Sequence, residues 1–302
     1  MILATKTLAA INSGLELDQG AKYRGLLKDA MSDIGDAFDS KPDLMPRSHL
    51  GASLIGKECA RELWYSFHWA VYSRHEWRIL RLFNRGHLEE ARFIALMRTG
   101  GMSTWHQDNG HQFRISGFGG HFGGSLDGVG AGCPDLPVGT FCLLEFKTHS
   151  KKNFDALVKT GVEKAQPKHV IQCNQYMGYY KLPWTLYCAV CKDNDDLHLE
   201  LIPYDRMNRE SYFERAGAII AAKTPPPKIN HSISWFECKF CDMKDLCYEK
   251  RGCEHNCRTC ENATPITANK EPTWYCQRFS HSLSKAEQFA GCESWKAIEG
   301  MQ

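Results

Sequence analysis

The stretch that most restricts the fold is Phe-Cys-Leu-Leu-Glu-Phe-Lys, residues 141–147. Apolar side chains fall on both faces of this extended run, which is typical of a central, buried β-strand. Residues two apart in a strand share a face, so Glu145 and Lys147 project together while Leu144 and Phe146 point the other way. Because burying charge is costly without partners, the pattern requires further polar groups beside this pair.

Asp127 is the candidate partner, since it lies 18 positions before Glu145 among short strand-like segments separated by glycines. A hairpin can close that separation. Two carboxylates about 4 Å apart repel by about 4 kcal/mol at an effective dielectric of about 20, which favours a cation between them. Oxygen ligands with open positions suit Mg²⁺ or Mn²⁺. Each residue also has an ordinary interpretation, because Asp-Gly is a common turn and Glu-x-Lys is commonly a solvated pair.

Taken together, Asp127 and Glu145-x-Lys147 resemble the signature of the PD-(D/E)XK nuclease superfamily. The resemblance implies an α/β fold in which a central mixed sheet is flanked by helices. It also implies that Asp127, Glu145 and the backbone carbonyl of Phe146 ligate Mg²⁺ or Mn²⁺. Lys147 would orient or deprotonate water and stabilise the charge that develops on the phosphate.

A helix before the strands often contributes an acid or a histidine after a glycine in this superfamily. Here His87 and Glu90 follow Gly86, and their spacing places both on one helix face. Either side chain is therefore a candidate for the metal or its water, with Glu90 fitting the resemblance better. Two surface residues of an ordinary helix remain the alternative.

RecB-type members also carry Gln-x-x-x-Tyr on the helix that follows the lysine strand. Gln172 and Tyr176 have this spacing and are the preferred pair. Gln175 and Tyr179 repeat it on an adjacent face, so the register stays open, as does a core role for either tyrosine.

Cysteines are the second strong signal, because the chain has 14 of them and eight follow residue 235. No export signal is visible and the length is ample for a core, so metal ligation is favoured over disulfides. Three soft ligands lie within ten residues as Cys238-x2-Cys241-x5-Cys247. With Cys59 as a distant fourth, they resemble the RecB-like iron–sulfur nucleases, including the CRISPR-associated ones. A zinc site completed by Cys253, with Cys59 a core residue, is the alternative.

A second set of cysteines fits a zinc ribbon or knuckle, with Cys253 and His255 as spare candidates. Its members are Cys257, Cys260, Cys276 and Cys292. By contrast, Cys188 and Cys191 fall in a predicted strand at an odd spacing and are expected to pack in the core.

Basic residues form two further features, although the formal net charge is only +2. One is a helix stripe of arginines spaced four, three and four apart: Arg74, Arg78, Arg81 and Arg85. Lys151 and Lys152 begin the other, in the segment after the lysine strand. Such stripes are commonly solvated faces, but two of them flanking a nuclease site are expected to position DNA phosphates.

The order of elements predicts three segments: N-terminal helices over 1–47, a nuclease core over 48–224, and a cysteine-rich metal module over 225–302. Helical spacing is predicted over 21–39, from about 53 to 83, from Gly86 through Met97, and over 168–180. A hairpin is predicted around the turn 193–196. No window reaches the roughly 18 apolar residues that span a bilayer, so we expect no membrane association and a cytoplasmic protein, in a host cytoplasm if phage-encoded.

The function that these features favour is a metal-dependent DNA nuclease, an exonuclease more than an endonuclease, in bacteriophage recombination or replication. DNA is the expected partner, with a single-strand-binding or recombination protein as a possible second. The alternatives are a DNA-binding protein without catalysis, whose metal sites are structural, and a CRISPR-adaptation nuclease.

Overall fold

The structure is a computed structural model, and it describes residues 1–34, 45–72, 74–249 and 251–301. Its helices are α1 Thr5–Leu17, α2 Ala21–Asp33, α3 Ala60–Phe67, α4 Trp77–Thr99, α5 Lys151–Thr160, α6 Val162–Ala165, α7 Pro167–Tyr180, α8 Arg206–Ala221, α9 Phe236–Lys239, α10 Lys244–Tyr248 and α11 Lys285–Ala290. Its strands are β1 Ile2–Leu3, β2 Leu50–Gly51, β3 Ser103–Trp105, β4 Gln107–Asp108, β5 His111–Gln112, β6 Arg114–Gly117, β7 Phe122–Ser125, β8 Gly128–Ala131, β9 Phe141–His149, β10 Trp184–Cys191, β11 Leu197–Pro203, β12 Ala263–Ile266, β13 Thr273–Cys276 and β14 His281–Leu283.

The described residues group into two compact units, each assembled from separate stretches of chain. The first contains 1–34, 75–115 and 125–209, and the second contains 45–74, 116–124 and 210–301, apart from the residues outside the description. The three consecutive segments predicted from the sequence are a different division of the chain, and they stay a prediction.

A six-stranded mixed sheet organises the first unit, in the order β1-β11-β10-β9-β8-β3. The pair β9 and β10 is parallel, and the other neighbours are antiparallel. A parallel pair needs a crossover connection, and α5, α6 and α7 provide it. The mixed α/β architecture with a central mixed sheet flanked by helices is thereby confirmed.

The core of the first unit lies against the sheet face that carries Leu144 and Phe146. Helix α4 covers this face, and the rings of Phe93 and Phe146 stack with centroids 4.8 Å apart. Glu145 and Lys147 alternate with these residues, so they project from the opposite face of β9. Helix α7 supplies the buried side chains of Cys173 and Tyr176 on that side.

The second unit contains α3 and the cysteine-rich C-terminal part of the chain, where β12, β13 and β14 form an antiparallel sheet. Arg258 is fully buried in it, with its guanidinium carbon 3.8 Å from the ring centroid of Trp69. The same guanidinium donates to the carbonyls of Phe67 and Ser48, both at 3.1 Å, and to Gln288 Oε1 at 2.9 Å. Residues far apart in sequence are thereby joined around one cation.

Three helix predictions differ from the structure. The helix expected from about 53 to 83 is interrupted after α3, and Gly86 lies inside α4 instead of beginning a helix. Nothing lies within 4 Å of a Cβ built at Gly86, so this glycine relieves no close contact and α4 passes through it. The helix predicted over 21–39 ends at Asp33, and its last residues fall outside the described part of the chain.

Among the described residues, no helix combines the length and apolarity needed to cross a lipid bilayer.

Candidate active site

Strand β9 lies between β8 and β10 and carries Glu145 and Lys147 in its second half. The antiparallel register pairs Gly128 with Leu144, so Asp127, one residue earlier, is brought to the level of Glu145. The two carboxylates and the lysine, separated in sequence, therefore meet at one place on the sheet.

Hydrogen bonds tie these groups together. The backbone amide of Phe146 donates to Asp127 Oδ2 at 2.7 Å. Lys147 Nζ donates to Glu145 Oε1 and, at 3.2 Å, to the carbonyl oxygen of Phe146, and it lies 4.0 Å from Asp127 Oδ2. One ammonium group thus serves both carboxylates.

Burial differs sharply among the three side chains. Glu145 is fully buried, whereas the side chains of Asp127 and Lys147 are 18% and 23% exposed. Burial raises the pKa of Glu145 to about 7; the positive charge of Lys147 opposes the rise and Asp127 adds to it. For Lys147, burial lowers the pKa, but Glu145 and Asp127 outweigh it, so the net shift is upward. Glu145 Oε2 is buried without a hydrogen-bond partner among the described residues.

Helix α7 brings the predicted glutamine–tyrosine pair towards this site. Gln172 and Tyr176 are buried, and Gln172 Nε2 donates to the Tyr176 hydroxyl at 3.3 Å. Burial raises the pKa of Tyr176 above its usual range, with the nearby charges of Glu145 and Asp127 adding to the rise. Of the alternative pair, Gln175 donates instead to the backbone carbonyl of Arg209, and Tyr179 is exposed.

Three residues that the sequence analysis did not single out lie beside Lys147. The Tyr187 hydroxyl is 3.1 Å from His149 Nε2 and 2.8 Å from His169 Nδ1. Burial and then the charge of Lys147 lower the pKa of His149 to about 4 and that of His169 to about 3. Tyr187 pairs with Glu145 across the parallel strands β9 and β10, so its side chain shares the face of the carboxylate. Only His149, two residues after Lys147 on the same strand, had a local sequence signal.

His87 and Glu90 lie on α4, which covers the sheet face of Phe146. Both are half-buried. Glu145 and Lys147 project from the other face, so a role for His87 or Glu90 at the metal stays a prediction.

The four cysteines of the first predicted cluster line one cavity in the second unit: Cys59, Cys238, Cys241 and Cys247. Cys59 precedes α3 as its N-cap, and its sulfur accepts from the amide of Glu62 at 3.4 Å. The Tyr248 hydroxyl donates to Cys238 Sγ at 3.2 Å.

The four cysteines of the second predicted cluster line another cavity: Cys257, Cys260, Cys276 and Cys292. Burial raises the pKa of Cys257 to about 11, and the other three thiols add to the rise, so they lie close to it. Within the described residues, no three or more histidine, cysteine or acidic side chains are already arranged to hold a metal ion. Ligation at either cavity stays a prediction. Cys188 and Cys191 are buried, as expected of core residues.

The predicted DNA-binding residues are exposed. Arg78, Arg81 and Arg85 lie in the first turns of α4, and Arg74 precedes the helix. Lys151 and Lys152 begin α5, where Lys151 is paired with Asp155.

Comparison of the sequence with protein-family models and with curated proteins gives no match. Among solved structures, the chain is similar to the alkaline exonuclease LHK-Exo from Laribacter hongkongensis, at 17% identity and a TM-score of 0.41 over 58% of this chain and 87% of that one. It is also similar to SSO0001, at 15% identity and a TM-score of 0.39 over 77% of this chain and 98% of that one. Similarity at this level leaves the activity to be inferred from the chain's own residues.

Proposed function

We propose that this chain is a metal-dependent DNA nuclease whose active site contains Asp127, Glu145 and Lys147. One observation carries the proposal: two carboxylates and an ammonium meet on one face of β9, and one carboxylate oxygen, Glu145 Oε2, is buried without a hydrogen-bond partner among the described residues. A buried oxygen of this kind is costly unless a further cation approaches it. A scaffold that only binds DNA gains nothing from carboxylates facing phosphates.

The residues at the site fit a hard divalent cation. Asp127, Glu145 and the carbonyl of Phe146 offer oxygen ligands, which Mg²⁺ and Mn²⁺ prefer. When bound, such an ion would polarise the scissile phosphate and lower the pKa of a water molecule. His87 and Glu90 are proposed as additional contributors on the sequence resemblance alone, because α4 covers the opposite face of the sheet.

Lys147 is positioned by its hydrogen bonds to interact with the scissile phosphate. Its ammonium has three donors, of which Glu145 and the carbonyl of Phe146 accept two. The third can donate to a phosphate oxygen or to the attacking water and stabilise charge that develops during cleavage. Gln172 and Tyr176, which are hydrogen-bonded to each other, are proposed to close the buried side of the site.

The test is cleavage of labelled single- and double-stranded DNA with Mg²⁺, with Mn²⁺ and with a chelator. Asp127→Ala, Glu145→Ala and Lys147→Ala are each expected to lower the rate by about 100-fold or more and to leave DNA binding largely intact. Asp29→Asn, which changes an exposed carboxylate on α2, is the matched control and should cleave like wild type. Wild-type rates in any one of the three alanine variants would refute this site.

Exonuclease action in recombination or replication is the finer form of the proposal. A linear duplex should then be degraded from its ends, while a covalently closed circle of the same sequence stays intact. Cleavage of the circle at a comparable rate would identify an endonuclease instead.

We further propose that the two cysteine clusters are metal sites. Each predicted quartet lines a single cavity, which supports this assignment. The first set, Cys59, Cys238, Cys241 and Cys247, is proposed to bind a four-iron four-sulfur cluster, or zinc if Cys253 is the fourth ligand in place of Cys59. The second set, Cys257, Cys260, Cys276 and Cys292, is proposed to bind zinc.

A further inference from the structure

The first turns of α4 are unusually exposed for a helix with this composition. From Trp77 to Arg85, every residue except Ile79 is exposed, although the segment contains several large apolar side chains. Trp77 is 65% exposed, Leu80 54% and Phe83 47%. Clustered apolar exposure of this kind marks an interaction surface more often than a chance arrangement.

Helical geometry sorts this segment into two adjacent stripes. Trp77, Leu80 and Phe83 are spaced three apart and form an apolar stripe. Arg78, Arg81 and Arg85 form a cationic stripe beside it. The stripes meet where the guanidinium carbon of Arg81 lies 4.5 Å from the ring centroid of Trp77.

The charge of the segment is one-sided. Residues 77–88 contain three arginines and no aspartate or glutamate. A protein partner or a second copy of the chain could cover the apolar stripe, but neither would need an uninterrupted cationic stripe next to it. A single nucleic-acid strand matches both stripes, because its bases offer flat apolar faces on one side and its phosphates offer negative charge on the other.

We propose that residues 77–85 are a stacking platform for unpaired nucleotides, with bases on Trp77 and Phe83 and phosphates along Arg78, Arg81 and Arg85. The inference rests on the proposed function in that the bound strand is the nuclease's own substrate. The substrate class is then DNA that has, or is opened to give, a single-stranded segment. Because stacking accepts every base, the platform binds without sequence preference.

The experiment measures binding without cleavage. Full-length protein in chelator is titrated against a fluorescent 20-nucleotide single strand and against a blunt duplex of the same sequence, over a range of KCl concentrations. Trp77→Ala combined with Phe83→Ala should weaken single-strand binding by about tenfold or more and duplex binding by much less, with an unchanged salt slope. Leu17→Ala, at an exposed apolar residue of α1, is the matched control and should bind like wild type.

Two further variants separate stacking from other roles. Trp77→Phe combined with Phe83→Tyr keeps aromatic faces and should keep most of the single-strand affinity. Replacing Arg78, Arg81 and Arg85 by glutamine should weaken binding of both the single strand and the duplex. For the single strand, the slope of log affinity against log salt concentration should become shallower by about 0.7 per lost phosphate contact.

Single-strand affinity within twofold of wild type in the alanine variant would overturn the platform. So would a change in that variant from an oligomer to a monomer at unchanged affinity, since the apolar stripe would then be a protein contact. Failure of the nuclease proposal gives a different result: no variant cleaves, wild type included, while the difference in single-strand binding persists.

Discussion

Glu145 and Arg258 are both fully buried charged residues, and different surroundings make each one tolerable. Glu145 has an ammonium partner and a polar active-site face. Arg258 has aromatic rings and three hydrogen-bond acceptors around its guanidinium. Burial lowers the pKa of Arg258 to about 9, so it still carries its charge at neutral pH.

Arg258→Lys tests whether the planar guanidinium matters beyond its charge. A lysine cannot stack on Trp69 and reach the acceptors on Gln288, Phe67 and Ser48 at the same time. Since acceptors then stay buried without donors, we expect the free energy of unfolding to fall by about 3 kcal/mol, measured by urea denaturation.

Arg251→Lys, at an exposed arginine of the same unit, is the control and should change the unfolding free energy by less than about 0.5 kcal/mol. Equal small effects in both variants would show that the charge alone stabilises the second unit.

At the scale of elements, the strand and the hairpin that form the site could be predicted from the sequence. The apolar run before Glu145 predicted β9, and the turn at 193–196 predicted the antiparallel pair β10 and β11; both are confirmed. Tyr187 and His169 could not be predicted as site residues, because the parallel register between β9 and β10 and the placement of α7 are long-range properties. Local periodicity carries no information about which strand lies beside which.

Helix α3 offers a pH test on the second unit. Its C-cap residue His68 stacks on Trp64 with ring centroids 3.8 Å apart, and burial lowers its pKa from 6.5 to about 3. Below pH 6.5, His68 therefore binds a proton in the unfolded chain but stays neutral in the folded chain. As the pH falls from 6.5 towards 3, His68 should lower the free energy of unfolding by up to about 1.4 kcal/mol per pH unit.

The measurement is the urea midpoint of wild type and His68→Phe at pH 7, 6 and 5. Other buried histidines lower the midpoint of both proteins, so the expected result is a shallower decline in the variant. Parallel curves would mean that His68 has the same pKa in the folded and the unfolded chain.

At the scale of the whole molecule, the proposed metal site at Cys59 would connect segments that lie far apart in the sequence. Cys59 lies at the start of α3, and the other cysteines of its cavity follow residue 235. A ligand bond between such distant segments restricts the unfolded chain strongly, so its loss is expected to loosen the second unit.

Cys59→Ser and Cys253→Ser form a matched pair that distinguishes the two proposed ligand sets. If iron and sulfur occupy the Cys59 cavity, anaerobically purified wild type is brown and absorbs near about 400 nm. Cys59→Ser should then lose the colour and Cys253→Ser should keep it.

If zinc is held with Cys253, all three proteins are colourless. Elemental analysis should then show one zinc ion per chain fewer in Cys253→Ser than in wild type or Cys59→Ser, because the zinc bound by Cys257, Cys260, Cys276 and Cys292 is retained in all three. Wild-type protein with neither iron nor zinc would reject both metal sites. The nuclease proposal would survive that result, because Asp127, Glu145 and Lys147 do not depend on the cysteines.

The groups that surround Arg258 also determine when the second unit can fold during synthesis. Arg258 follows Phe67, one of its acceptors, by 191 residues. At about 5–20 residues per second, a ribosome needs roughly 10–40 s to make that stretch. During this interval α3 and Trp69 have emerged without the cation that they surround. The second unit therefore cannot close before Arg258 has left the ribosome, and its aromatic residues stay open to chaperones until then.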